Sequence, residues 1–239
     1  MHTLVQQYLF ENRLFFRNKM NVFWNYIFPL FFLLLFGSLN FGGSIDYVLP
    51  GIIIMAIASS CLISTGISFV LMREKGYYRR MSIVPVSRFF LLGTQILQRY
   101  VVVLTQIVFL NLVALIVFSA SPAYFGLDVW LLVSFGIFTF LALGFLAANI
   151  SPNVEAAEAF TMLPFFTLLF LGGAFWPLSI MPEFLQKFAV FLPTPYLIGG
   201  IQSIVMIDAS IFDLGKNILV LIAWGAVSLI MAVKFFRWE

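Results

Sequence analysis

Charge is scarce in this chain. Asp, Glu, Lys and Arg make up 10% of its 239 residues, against about 25% in a soluble domain. Hydrophobic residues make up 62%, and the mean hydropathy is +1.06. A water-soluble fold cannot hide that much apolar surface, because about 55–60% of an ordinary folded surface is apolar already. Histidine is nearly absent, with only His2, and Cys61 is the single cysteine. An internal disulfide is therefore excluded and no metal site is indicated. There is no Ser/His/Asp or paired-carboxylate set, so no catalytic residues, cofactor site or metal site are assigned. The phosphate-binding pattern G-x-x-x-x-G-K-[ST] is also missing: Gly215-Lys216 comes nearest, but Ser210 stands where the first glycine belongs. No predicted span carries a charge near its middle, which argues against proton coupling. The first 20 residues show no apolar run followed by a cleavage site, so no cleavable signal is expected.

What the chain has is a series of apolar runs of roughly 20 residues, the length of a membrane-crossing helix. They do not alternate as barrel strands do. The expected fold is an all-α integral membrane protein with six transmembrane helices, at about 22–39, 48–72, 89–118, 129–148, 156–175 and 214–233. Residues 3–19 read as an amphipathic helix, with Leu4, Val5, Tyr8, Leu9, Phe15 and Phe16 on one stripe. Arg13 and Arg17 lie off the stripe, which suits an interfacial position. Pro29 is placed to kink the first span. In the second, Ala56, Ser60, Ser64 and Ser68 recur every four residues, a spacing that permits close helix approach. Arg99, near the end of the third span, is expected to snorkel to the interface. Between the fifth and sixth runs, Pro177, Pro182, Pro193 and Pro195 interrupt an apolar stretch. Two short outer helices are expected there, the second with Thr194 as N-cap and Pro195 after it. Ser210 and Asp213 form a capping-box pattern before the last span.

Charge placement sets the orientation. Residues 73–88 read REKGYYRRMSIVPVSR and hold 5 of the 13 Lys+Arg. Six spans with both termini inside put 11 basic residues on the cytoplasmic side and leave Lys187 and Lys216 outside. The net charge of +3 follows this distribution and does not imply a nucleic-acid partner.

Two motifs carry a family resemblance. Arg73-Glu74-Lys75-Gly76, then Pro85-Val86-Ser87-Arg88 and Leu92-Gly93, resemble the first cytoplasmic loop of ABC type-2 transporter permeases. The run from Gly172-Gly173-Ala174-Phe175-Trp176-Pro177 through Met181-Pro182-Glu183 to Leu192-Pro193-Thr194-Pro195-Tyr196 resembles the family signature after the fifth span. The chain departs from the family in Tyr77, where Thr is frequent, and in the pair Arg79-Arg80.

The resemblance implies one permease domain over 1–239: an interfacial helix at 1–20, a coupling stretch at 73–88 and an outer re-entrant segment at 177–212. It also implies a second permease chain, as homodimer or related heterodimer, and a separate ABC ATPase subunit that holds the ATP and Mg. Contact with that ATPase would fall to Arg73, Glu74, Gly76, Arg79, Arg80, Pro85, Ser87 and Arg88. An outer gate would comprise Phe175, Trp176, Pro177, Pro182, Pro193 and Tyr196. Ser60, Ser64, Phe166 and Phe170 would line the pathway or a dimer contact. The expected activity is export of an apolar or amphipathic solute (drug, natural product or lipid) across the cytoplasmic (inner) membrane, with lipid as surrounding partner. A glycan or glycolipid exporter of the same family, and a six-span channel or scaffold without a motor, are the alternatives. Single cysteines at Arg79 and Glu183, with Cys61 removed, should react with an impermeant label from opposite faces of the membrane; labelling from one face would overturn this topology.

Overall fold

The computed structural model describes residues 2–39, 44–77 and 88–234. Among these the chain is helical, without strands. Helix α1 is His2–Arg17 and ends at Asn18, whose side chain accepts from the backbone N–H of Met20 (3.1 Å) and Asn21 (3.4 Å). The apolar spans follow as α2 (Lys19–Ser38), α3 (Ile45–Glu74), α4 (Arg88–Phe118), α5 (Leu127–Ile150) and α6 (Val154–Leu171). Two shorter helices, α7 (Glu183–Ala189) and α8 (Thr194–Ile207), meet at a bend of 84°. The last span is α9 (Gly215–Lys234), entered through a turn at Ile211–Leu214. Six helices are thus long and apolar enough to cross a membrane, and α7 and α8 each fall short of the length needed.

Helix ends follow local chemistry. Ser44 caps α3 by accepting from the Asp46 N–H, so this helix starts at Ile45, ahead of the expected 48. It continues to Glu74 and so absorbs the first two residues of the basic stretch. Asn153 caps α6 through the Ala156 N–H at 2.8 Å. The Ser210–Asp213 capping box is present. Pro193, not Thr194, occupies the cap of α8; Thr194 is the first helical residue and is buried.

The core is built around α3, which packs against α2, α4, α5, α6 and α8. Most of its apolar window is buried, whereas α2 and α9 stay largely exposed along their lengths. Helix α9 lies along α5, where Thr139 donates to the Leu221 carbonyl (2.9 Å) and Asn149 to the Ala232 carbonyl (3.1 Å). One end of the bundle carries α1, Glu74 and the α5–α6 turn and is called here the basic end. The opposite end carries Leu39, Ser44 and the segment from Gly172 to Leu214.

Prolines lie inside three spans, Pro29 in α2, Pro50 in α3 and Pro164 in α6, and each leaves the carbonyl four residues earlier without its helical donor; at the first two a side chain from elsewhere in the chain takes that place. Pro29 frees the Asn25 carbonyl, which accepts from the Gln106 side-chain amide of α4. Just before Pro29 the helix widens into a π turn at Phe23–Ile27. Pro50 frees the Asp46 carbonyl, which accepts from the Tyr124 hydroxyl at 3.0 Å. Burial first, and the nearby Asp46 carboxylate second, push the Tyr124 phenol up, so it remains a neutral donor. Tyr124→Phe should cost about 1 kcal/mol by removing the donor of a part-buried carbonyl. In a Pro50→Ala background, where the helix supplies its own N–H, the loss should shrink markedly. Unfolding midpoints of the four proteins in detergent measure this coupling.

Candidate functional site

At the basic end, polar side chains from α1, α2, α3 and α4 converge. Arg99 of α4 is 8% exposed. It donates to the Ser64 hydroxyl (3.0 Å), the Ser64 carbonyl (3.2 Å) and the Ser68 hydroxyl (2.9 Å). Its guanidinium lies 5.1 Å from the centre of the Phe15 ring, a cation–π contact with α1. The snorkelling expected of Arg99 is therefore not observed: the α3 serines and α1 hold the guanidinium inside the bundle. Ser64 donates to Asn21 (3.2 Å) and accepts from Asn25 (3.3 Å). One turn along, Gln98 donates to Asn12 (3.2 Å) and Gln95 to Glu11 (3.4 Å). These bonds fasten α1 to α4. A cavity of about 390 Å³ opens among them, walled by Glu11, Phe15, Ser68, Gln98, Arg99 and Phe145. In α1, Phe15 is buried while Leu9 and Phe16 of the apolar stripe stay exposed. Ser60 and Ser64, expected at a pathway or dimer contact, are instead sealed within the single chain. The small-residue spacing there serves contact between helices of one chain.

The coupling stretch is partly in view. Gly76 has φ +64°, the left-handed conformation expected after a helix, and its N–H bonds the Arg73 carbonyl at 2.9 Å. No atom of the described residues would meet a side chain there, and the positive φ itself opposes a substitution. Arg73 donates to the carbonyls of Ala148 (3.4 Å) and Ser151. Glu74 accepts from the Val154 N–H at 3.0 Å. Arg79, Arg80, Pro85 and Ser87 lie outside the described residues, and Arg88 opens α4.

At the far end, the expected gate residues form two groups. Phe175, Trp176 and Pro177 line a cavity of about 250 Å³ together with Phe36, Tyr47 and Gly51. A side chain at position 51 would run into the Ala174 carbonyl, so glycine permits this close approach of α3. Pro182, Pro193 and Tyr196 belong to the α7–α8 bend. Pro182 caps α7 and Pro193 caps α8. The Tyr196 hydroxyl donates to the Val190 carbonyl (2.9 Å), and its carbonyl accepts from Asn217 of α9 (2.6 Å). Trp224 of α9 donates to the Phe191 carbonyl at 2.7 Å.

An aromatic ladder joins the far end to α2 and α6. Trp24, Phe28, Phe32 and Phe36 succeed one another at 4.7, 5.0 and 5.7 Å between ring centres. Phe175 contacts Phe32 (5.5 Å), Phe36 (5.6 Å) and Phe170 (5.4 Å). Phe170 stacks on Phe166 at 6.2 Å, and both remain about half exposed in the single chain. The structure thus brings Phe166 and Phe170 to the first gate group and separates them from Ser60 and Ser64. Sequence reasoning missed Gln106, Asn217 and Trp224 as cross-links, and Arg99 as a buried hub. The signal for Arg99 was present: Gln95, Arg99 and Gln106 recur on one face of an otherwise apolar helix.

Six apolar helices, with α3 the most buried of them, define a multi-pass membrane protein. The chain belongs to the ABC-2 type transporter family, whose model matches residues 7–206. It is 27% identical over 99% of its length to YvfS of Bacillus subtilis (strain 168), provisionally named a transport permease, and covers 98% of that protein. It is 27% identical over 69% of its length to the linearmycin resistance permease protein LnrN of the same organism, covering 43% of that chain. A 28% match over 84% of the chain joins it to ycf38 of Pyropia yezoensis, also provisionally named a transport permease; it covers 72% of that protein. This is the membrane subunit of a transporter and not an enzyme, and permeases of the family work with an ABC ATPase.

Arg99→Leu should cost about 1–3 kcal/mol, since it strips a buried carbonyl and two hydroxyls of their donor. It should also speed tryptic cleavage at Arg13 and Arg17 by loosening α1. Arg99→Lys should recover part of both losses.

Proposed function

We propose that this permease exports an apolar or amphipathic solute (a drug, natural product or lipid) out of the cytoplasm, driven by ATP hydrolysis in a separate ABC ATPase. Two permease chains, identical or related, would form the membrane unit within the cytoplasmic membrane, with both termini and the Arg73 end on the cytoplasmic side. The observation that supports the solute class is the aromatic ladder. It offers rings from α2, α6 and the segment after α6, and among the described residues no charged side chain lines the cavity beside Phe175. A solute moving along such a surface gains stacking and apolar contact without stripping water from a fixed charge. The exposed flanks of α2 and α6 leave Phe166 and Phe170 available to a solute or to the second chain. The resistance in the name of LnrN is the outcome that export of a toxic solute produces. Amphipathic α1, with Leu9 and Phe16 exposed, suits the headgroup boundary, where lipid is its partner.

Affinity purification of the tagged permease should recover an ABC ATPase, and the pair in liposomes should hydrolyse ATP faster when an apolar solute is present. Recovery without any ATPase would favour a channel or scaffold. Phe170→Ala removes one aromatic pair from each side of the ladder. At about 0.5–1.5 kcal/mol per pair, the export efficiency (kcat/KM) for an apolar solute should fall by roughly 2- to 12-fold per pair lost. Basal ATP hydrolysis should be unchanged.

A further inference from the structure

The Arg73–Glu74 pair makes contacts that its place in a basic loop does not foretell. Both side chains reach across to the turn between α5 and α6. Arg73 donates to the Ala148 and Ser151 carbonyls, where α5 ends. Glu74 accepts from the N–H of Val154, the first residue of α6. Each charge therefore sits on a helix end of opposite partial charge: the cation on the carbonyl end of α5, the anion on the amide end of α6. Both also satisfy backbone groups that a helix end leaves without an internal partner. Around them a small apolar cluster of Phe69, Val70, Ala148 and Ala157, with Val154 against it, closes the same junction.

We infer that Arg73 and Glu74 are positioning residues that staple the end of α3 to the α5–α6 turn, so that movement of the coupling stretch is delivered to α6 of the same chain. This rests on the ATP-driven reading given above. Glu74 then acts on its own α6, and not on the ATPase. Helix α6 carries Phe166 and Phe170 and leads directly to Phe175, so a displacement at its first residue is passed to the aromatic ladder. Charge-assisted bonds suit the task, being short, directional and stronger than neutral ones.

Val154 provides a selective probe. It stands at the first helical position, where proline is tolerated, and Asn153 before it is extended (φ −145°, ψ 173°), as a residue preceding proline prefers. Val154→Pro deletes only the N–H that Glu74 binds, plus part of a side chain. Val154→Ala trims that side chain and keeps the N–H. In the reconstituted permease–ATPase complex, Glu74→Ala and Val154→Pro should each lower solute moved per ATP by about tenfold, the loss expected for one charged hydrogen bond. The double variant should be no worse than either single one, because both break the same bond. Glu74→Gln, which keeps an acceptor oxygen but loses the charge, should give a smaller loss than Glu74→Ala, and Val154→Ala should stay near wild type. If Glu74→Ala uncouples while Val154→Pro does not, Glu74 works elsewhere, and the inference is overturned. Spin labels at Lys75 and Glu155, both exposed, give a reading that needs no ATPase. With Cys61 replaced, their distance distribution should broaden in Glu74→Ala and Val154→Pro but not in Val154→Ala. Unchanged distributions in all three would equally overturn the staple. Failure to recover any ATPase would instead refute the proposed function and leave the distance test to decide the staple.

Discussion

A backbone carbonyl in hydrocarbon has no water to turn to, and leaving it bare costs several kcal/mol. That constraint organises this bundle. At several places where a proline or a helix end frees a carbonyl, a side chain from another part of the chain arrives. Gln106 serves Asn25, Tyr124 serves Asp46, and Arg73 serves Ala148 and Ser151. At the α7–α8 bend, Trp224 and Asn217 of α9 serve Phe191 and Tyr196. The polar residues of a nearly uncharged chain are thus spent on cross-links. Apolar packing alone could not fix how the helices sit, because lipid tails solvate leucine as well as a neighbouring helix does. The donors supply direction where hydrophobicity supplies none.

The same economy explains why α3 is central. Its middle is the most enclosed stretch of any described span, and it holds small or hydroxyl residues where its neighbours come closest. Ser64 alone receives Arg99 and Asn25 and donates to Asn21, tying three spans at one level. At its basic end, Arg73 and Glu74 reach α5 and α6. At its far end, Gln202 of α8 donates to the Tyr47 carbonyl (3.0 Å), and Gly51 admits the segment after α6. One helix therefore touches both the stretch expected to couple to an ATPase and the residues expected at a gate.

Much of this was legible in the sequence. Hydropathy alone located all six spans, because crossing a bilayer demands length and apolarity whatever the neighbours are. Local signals were equally readable: the Ser210–Asp213 box, the turn at Asn153 and the left-handed Gly76 depend on residues a few positions apart. The failures share one cause. The sequence predicts a snorkelling Arg99, whereas α3 serines hold its guanidinium inside the bundle, and the bond from the Val154 N–H to Glu74 has no signal in the sequence. Ser60 and Ser64, expected at a pathway or a dimer contact, are buried within the chain. In each case the partner lies 30 residues or more away, or on a separate helix, and the outcome turns on how helices rotate about their axes. A freed carbonyl can be deduced from a proline; which distant donor will meet it cannot.

Two widened turns show how one helix presents different chemistry along its length. The π turn at Phe23–Ile27 in α2 faces the one at Ser59–Ser64 in α3, and the Asn25–Ser64 bond joins them. A π turn inserts an extra residue, and one residue rotates the helical face by about 100°. Below this level α2 turns Asn21 and Asn25 inward to the polar cluster around Arg99. Above it the same helix runs Phe28, Phe32 and Phe36 along the ladder towards Phe175. A regular helix keeps a single stripe on a single face. The change of register at one shared level lets α2 serve a polar cavity at the basic end and an aromatic surface at the far end, with α3 following the same shift.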